Sequence, residues 1–235
     1  MSLLSVVKDV CLTVGVAIPP SVFSAISTNR TMSEMLTLAN EVAQKIAYDT
    51  REWTQLTKNA VVTGDGVTTA WTLPTDFRRM LLSSNVWRSS TLVAPMRFVP
   101  DVDEWTNRRA RNYSDSRGEW TMMGGQMHIV PVLGTAETAS FPYLQKNCIK
   151  LFSGGVGDTF LDDGDSFILG DRIHKLGMIW QWKAQKGSPY AEDMGTYGDA
   201  LLMVMGGDKP APIIAGRSPI SVSAGVSYPW PVPTP

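Results

Sequence analysis

Four aspartates, Asp158, Asp162, Asp163 and Asp165, are the residues of this 235-residue chain best placed for acid–base or metal work. Clustered carboxylates can share protons or wrap a hard cation. Their spacing, however, fails the calcium-loop pattern, which sets oxygen ligands at alternate positions ahead of a loop glycine. A turn followed by a helix cap, with Asp165 or Ser166 as the cap, accounts for the same residues. A glycosidase pair needs two carboxylates facing each other across a cleft, which spacing alone does not place. His128 and His174 have no cysteine or histidine at ligand distance in sequence. Ser153-Gly154-Gly155-Val156-Gly157 lacks the lysine and the strand-to-helix setting of a phosphate loop and reads as a connection. No nucleophile, base and orienting acid can be assembled. The expectation is no catalytic residue, no metal and no cofactor.

Two stretches carry binding chemistry instead. Arg108, Arg109, Arg111 and Arg117 cluster with Asn107, Asn112, Ser114 and Ser116, the composition of an exposed loop with one helical turn over 102–109. Such a loop is either simply solvated or touches an acidic neighbour or DNA phosphates. A net charge of −1 excludes a generally basic nucleic-acid binder, but not a protein lining a DNA channel. Seven of the fifteen prolines fall in residues 210–235, where helix is blocked and extended conformation favoured. Within this arm Ile213, Ile214, Ile220, Val222, Val226, Tyr228 and Trp230 are candidate partner-binding residues. Ile220, Val222 and Ala224 alternate with serines, as in a strand that adds to another sheet's edge. Tyr228 and Trp230 are of the types that anchor interfaces.

The elements that position these stretches follow from apolar spacing. Leu3, Val6, Val7, Val10, Cys11 and Val14 predict a helix closed by Gly15. Pro19-Pro20 suits the first turn of a short helix with Val22, Phe23 and Ile26. Met35, Leu38, Ala39, Val42, Ala43, Ile46, Trp53 and Leu56 predict a long amphipathic helix over 33–57, with a capping box at Thr31 and Glu34 and with Lys58 at its negative end. Then β-type runs begin. One hairpin is expected around Gly64-Asp65-Gly66 and another around Gly124-Gly125, with a longer strand over 141–151 and weaker strands over 81–87 and 96–99.

Helix returns near the end. Ile173, Leu176, Ile179, Trp180 and Ala184 share a stripe that Gly187 closes. Ser188 and Pro189 open the last helix as cap and first residue, with Tyr190, Met194, Tyr197, Leu201 and Val204 as its buried face. Gly177, Gly195 and Gly198 mark close backbone contacts. The fold class is α+β: a helical bundle from both chain ends, an inserted antiparallel β module, and an extended C-terminal arm. The divisions fall at 1–58, 59–164, 165–207 and 208–235. Cys11 and Cys148 lie among apolar residues and read as buried free thiols. No run is long and apolar enough to span a membrane and no cleavable signal is visible, so a cytosolic origin is expected.

A helix ending Glu52-Trp53-Thr54-Gln55-Leu56, then Gly64-Asp65-Gly66, then Leu73-Pro74-Thr75-Asp76-Phe77-Arg78-Arg79 and the aromatic Trp87 resembles the head-to-tail adaptor proteins of short-tailed bacteriophages, also called connector or head-completion proteins. The resemblance extends through Tyr143 into the last two helices, and it is the order of the motifs that carries it. It implies a dodecameric ring in the virion, assembled in the bacterial host cytoplasm, that joins the portal to the tail and continues the DNA channel with no enzymatic step. The implied partners are the portal, neighbouring adaptor copies, tail nozzle or fibre proteins, and passing double-stranded DNA held without sequence specificity. Two alternatives stay open. One is a receptor- or glycan-binding tail module built on the β-rich insert and its tryptophans; the other is a peptidoglycan-degrading tail enzyme using Asp158 to Asp165.

Overall fold

The computed structural model describes residues 2–82, 84–90 and 94–208. The first helix, α1 (Leu3–Val14), starts where the Ser2 hydroxyl accepts the Ser5 N–H and stops at Gly15, whose φ of 73° suits a residue without Cβ. One turn of helix, α2 (Val22–Ala25), follows. Its cap is Ser21, because the start needs a side-chain acceptor for the Ser24 N–H; the Pro19-Pro20 pair expected to begin it lies just before.

The third helix, α3 (Arg30–Tyr48), buries Met32, Met35, Leu38, Ala39, Val42, Ala43, Ile46 and Ala47 on one face. It is shorter than expected at its C-terminal end. Asn29 caps it through the Thr31 N–H, and Glu34 turns outward to Arg30 and Lys186 instead of closing a capping box. Past Tyr48 the chain folds back. The Trp53 indole N–H donates to the Ile46 carbonyl at 2.8 Å and the Thr50 hydroxyl to the same oxygen at 2.6 Å, so a carbonyl left over by the helix end is satisfied from outside the helix. Trp53 and Leu56 are therefore buried, as expected, but from a 3-10 turn at Thr54–Leu56. Lys58 pairs with Asp76 at 2.7 Å rather than with a helix end.

Next come β1 (Thr57–Thr63) and β2 (Ala70–Thr72), which do not pair with each other: β1 lies against residues 138–144 and β2 against residues 126–128. The hairpin expected at Gly64-Asp65-Gly66 is a crossover between two sheets. Gly64 donates to the Glu137 carbonyl at 2.7 Å, and a Cβ there would sit 2.4 Å from the Gly134 carbonyl oxygen. The Asp65 carboxylate takes the Val67 and Thr68 N–H groups, closing a local turn that leads the chain away from β1.

The remaining strands of the module are β3 (Phe77–Met80), β4 (Trp87–Arg88), β5 (Arg97–Phe98), β6 (Glu119–Met123), β7 (Gln126–Val130) and β8 (Thr138–Gln145), with α4 (Val102–Ala110) between β5 and β6. One sheet runs β1-β8-β3 with β4 also on β8; the other runs β2-β7-β6-β5 and is antiparallel except for the parallel β5–β6 pair. The β6–β7 hairpin is the one expected, and it turns on Gly124 and Gly125 at φ of 60° and 74°. Val86, Met96, Trp120, Met127, Ile129, Leu133, Phe141 and Tyr143 fill the core that the two sheets share.

The long strand expected over 141–151 is broken after Gln145. Its second part, β9 (Ile149–Lys150), joins β10 (Val156–Gly157) and β11 (Ser166–Phe167) in a small separate sheet. Ile149, Phe160 and Phe167 pack with the helices, not with the sandwich. By packing, then, the end of the β-rich region belongs to the helical core.

The last two helices are α5 (Asp171–Gln185) and α6 (Ala191–Asp208). Gly170 precedes α5 in place of the expected Asp165 or Ser166, and α6 begins after Ser188-Pro189 rather than at them. Helix α5 is central, lying against α1, α3 and α6. Gly177 permits this closeness, since a Cβ on it would meet Val42 Cγ1 at 2.6 Å. Cys11 and Cys148 are free and buried. The architecture is α+β, with both ends of the described chain joined in one helical core.

Candidate functional site

The arginine cluster sits on α4 and the loop after it. Asp101 caps the helix through the Asp103 N–H, Asp103 and Glu104 occupy its first turn, and Arg108 and Arg109 its last, the charge order that a helix dipole favours. This face is turned onto β6. Glu119 is completely buried there and takes the Arg108 guanidinium at 2.5 Å, the Arg109 guanidinium, and the Asp115 N–H at 3.3 Å. Arg108 also reaches Glu104 at 2.6 Å, and Arg109 stacks on Trp105 at 4.5 Å. The hydrogen bonds that Arg108 donates to Glu104 are the main cause that raises its pKa.

Arg117 bonds Asp115 at 3.2 Å and holds that carboxyl down at about 2. Among the four expected contact arginines, Arg108, Arg109 and Arg117 are thus committed within the chain. Arg111 caps the C-terminal end of α4 and is exposed. A phosphate could recruit Arg108 or Arg109 only by stripping Glu119 of its counter-charge, which is costly for a buried carboxylate. The signal for this lock was Glu119 itself, an acid opening an otherwise apolar strand directly after a run of arginines.

In the acidic stretch Asp162, Asp163 and Asp165 are likewise engaged within the fold, through backbone N–H groups. Asp165, 1% exposed, accepts the N–H groups of Phe152 (2.8 Å), Leu161 (2.6 Å) and Asp162 (2.8 Å). Asp163 accepts the Val22 N–H at 3.0 Å, tying α2 to this loop, and the Asp163 and Asp165 carbonyls receive the Leu4 and Leu3 N–H groups. Asp162 closes a turn onto Gly164, and Asp158 is exposed. Gly154 and Gly155, at φ of 98° and 87°, make the turn between β9 and β10.

His174 is fully buried between Phe160 and Phe167, with Nε2 2.9 Å from the Ala39 carbonyl, and burial pushes its pKa down to about 4. His128 lies on β7 within the hairpin. Among the described residues no group of three or more His, Cys, Asp or Glu could hold a metal ion, and no helix is long and apolar enough to cross a membrane.

The arm residues Ile213, Ile214, Ile220, Val222, Val226, Tyr228 and Trp230 lie outside the described residues. Among the described residues, α6 exposes apolar side chains. Only Ala200 on it is buried; Met194, Leu202 and Met203 are 50%, 67% and 74% exposed, and Gly195, Gly198, Gly206 and Gly207 have open space where a Cβ would lie. The expected buried face is partly realised by Tyr197, Leu201 and Val204, whereas Met194 is 50% exposed, and Tyr190, just before α6 with its ring 6.4 Å from that of Trp180, is 42% exposed. The unbroken apolar run from Leu201 to Met205 was the available signal, since a one-sided surface helix interrupts such a run with polar outer residues.

No family model matches this chain, and comparison with curated proteins likewise finds no match.

Proposed function

We propose that this chain is a structural virion protein of a short-tailed bacteriophage, a head-to-tail adaptor whose copies form a ring, dodecameric by resemblance, between portal and tail. The reading has no enzymatic step. The observation that carries it beyond the motif order is the outer face of α6. An 18-residue helix that buries only Ala200 and shows Met194, Leu202 and Met203 to water offers apolar side chains that a neighbouring copy can cover. A closed ring supplies the cover, because each copy sets one face against a different face of the next. The arginines fit channel passage as well: with Arg108, Arg109 and Arg117 paired internally, this cluster has less positive charge to hold DNA with than its composition suggests. The arm, with Ile213, Ile214, Ile220, Val222, Val226, Tyr228 and Trp230, is the grip on the portal or a neighbouring copy in this reading.

The test is to mix the purified chain with a cognate portal assembly and weigh the product by native mass spectrometry. The expected result is a complex with one adaptor per portal subunit, lost in Leu202→Asp/Met203→Asp while the monomer keeps its helical circular dichroism. A chain that never binds the portal overturns the reading.

A further inference from the structure

The two sheets of the sandwich stop at edge strands on the same side. Among the described residues β3 pairs only with β8 and β5 only with β6. Between these edges lies a groove of about 460 Å³ whose apolar lining includes Phe77, Met80, Leu82, Phe98, Trp120 and Met122. Leu82 and Phe98 are 76% and 50% exposed, and the Phe98 ring lies 4.5 Å from that of Trp120. The arginines at the rim are already engaged: Arg78 sits 3.7 Å over the Tyr48 ring, and Arg79 donates to Glu52 at 2.5 Å. An apolar trough bordered by open strand edges accepts an extended segment, which bonds an edge through its main chain and places alternate side chains in the trough.

The chain carries such a segment within reach. Its described part ends at Asp208, whose carboxylate accepts the Thr54 N–H at 3.1 Å and the Thr54 hydroxyl at 2.5 Å and lies 3.5 Å from Arg51. The neighbour of Arg51, Glu52, accepts the Leu82 N–H at 2.7 Å at the lip of the groove. The chain therefore leaves the described fold close to the groove. From Asp208 to Ile220 an extended chain spans up to about 40 Å. Residues 218–230 contain no charged side chain, and Ile220, Val222 and Ala224 alternate with Ser221 and Ser223. That composition fits a trough that offers no free charge.

We propose that residues 220–226 dock as an added strand in the groove between β3 and β5 of their own chain, so that the free subunit covers its own sandwich edge. Self-capping needs no ring and is read on the isolated subunit, so it stands or falls independently of portal binding. Where both hold, assembly displaces this strand before the arm can grip a partner.

Hydrogen–deuterium exchange on the full chain tests it. In dilute wild-type protein the amides of β3 and of Phe98 are expected to exchange at least about tenfold more slowly than in Val222→Asp, at every protein concentration. Val222 lies outside both described cores, and circular dichroism of the variant checks that the fold is kept. Equal exchange in the two proteins overturns the proposal. Protection that grows with protein concentration also overturns it, by assigning the groove to the arm of a second copy.

Discussion

Arg108 Nη1 lies 2.5 Å from a carboxylate oxygen of Glu119, and Glu119 has no solvent-exposed side-chain surface. The pair fixes α4 on the second sheet and explains why an arginine-rich stretch does not make a cationic patch. Its chemistry is internal: one buried acid divides its oxygens between two guanidinium groups from the last turn of one helix.

Glu119→Gln leaves Arg108 and Arg109 facing a neutral amide in a desolvated place. Removing the acid of a buried ion cluster is destabilising, because Arg109 loses its counter-charge and Arg108 keeps only that of Glu104. Urea denaturation should show the midpoint falling accordingly. Arg117→Ala, which breaks the outer pair with Asp115 on a half-exposed side chain, should leave the midpoint unchanged.

His174 makes stability depend on acid. In the unfolded chain its imidazole takes up a proton near 6.5, while burial between Phe160 and Phe167 lowers the folded pKa to about 4. Between these values the unfolded state binds more protons, so stability is complete above 6.5 and falls as pH drops towards 4. The full effect is about 3 kcal/mol. Denaturation midpoints measured from pH 7 to pH 4 should show this loss in the native chain, and His174→Gln should flatten that part of the slope relative to it.

Asp165→Asn separates the structural reading of the acidic loop from the enzymatic one. The carboxylate accepts the N–H groups of Phe152, Leu161 and Asp162, and an amide side chain cannot accept all of them through one oxygen and an NH2 group. A loss of about 2 kcal/mol is expected from replacing charge-assisted hydrogen bonds in a buried site. A peptidoglycan-degrading role instead requires a stable variant that has lost wall-clearing activity.

The legible parts of the fold were those governed by local pattern. The stripe of α1, the Gly124-Gly125 hairpin, and the burial of Cys11 and Cys148 all follow from spacing or composition over a few residues. The misread parts depend on distant partners. Trp53 keeps the helical spacing of α3, yet its indole reaches back to Ile46 from outside the helix. Gly64-Asp65-Gly66 has the composition of a hairpin turn, yet Gly64 bonds Glu137, so the flanking strands part into different sheets. The arginines of α4 looked free because their acid lies on another element. Met194 and Tyr190 fit a helical stripe, but a stripe is buried only where something covers it: the helical core covers Tyr197 and Leu201 and leaves Met194 half exposed.

Glycines in the last two helices give opposite predictions from the same substitution. Alanine is the better helix former by about 1 kcal/mol, so an exposed helical glycine gains on replacement. Gly195 is such a residue, with nothing within 4 Å of the place an added methyl would take, and Gly195→Ala should raise the melting temperature by about 2–4 °C. At Gly177 the methyl would sit 2.6 Å from Val42 Cγ1 and 3.3 Å from the Tyr197 ring. Val42 is β-branched and inside α3, where its χ1 has one strongly preferred setting, so it cannot swing aside cheaply. Overpacking of this kind costs about 1–3 kcal/mol and outweighs the propensity gain. Gly177→Ala should therefore melt lower than wild type, and the opposite signs, read in one thermal scan series, place the tight helix crossing on α5 and the open face on α6.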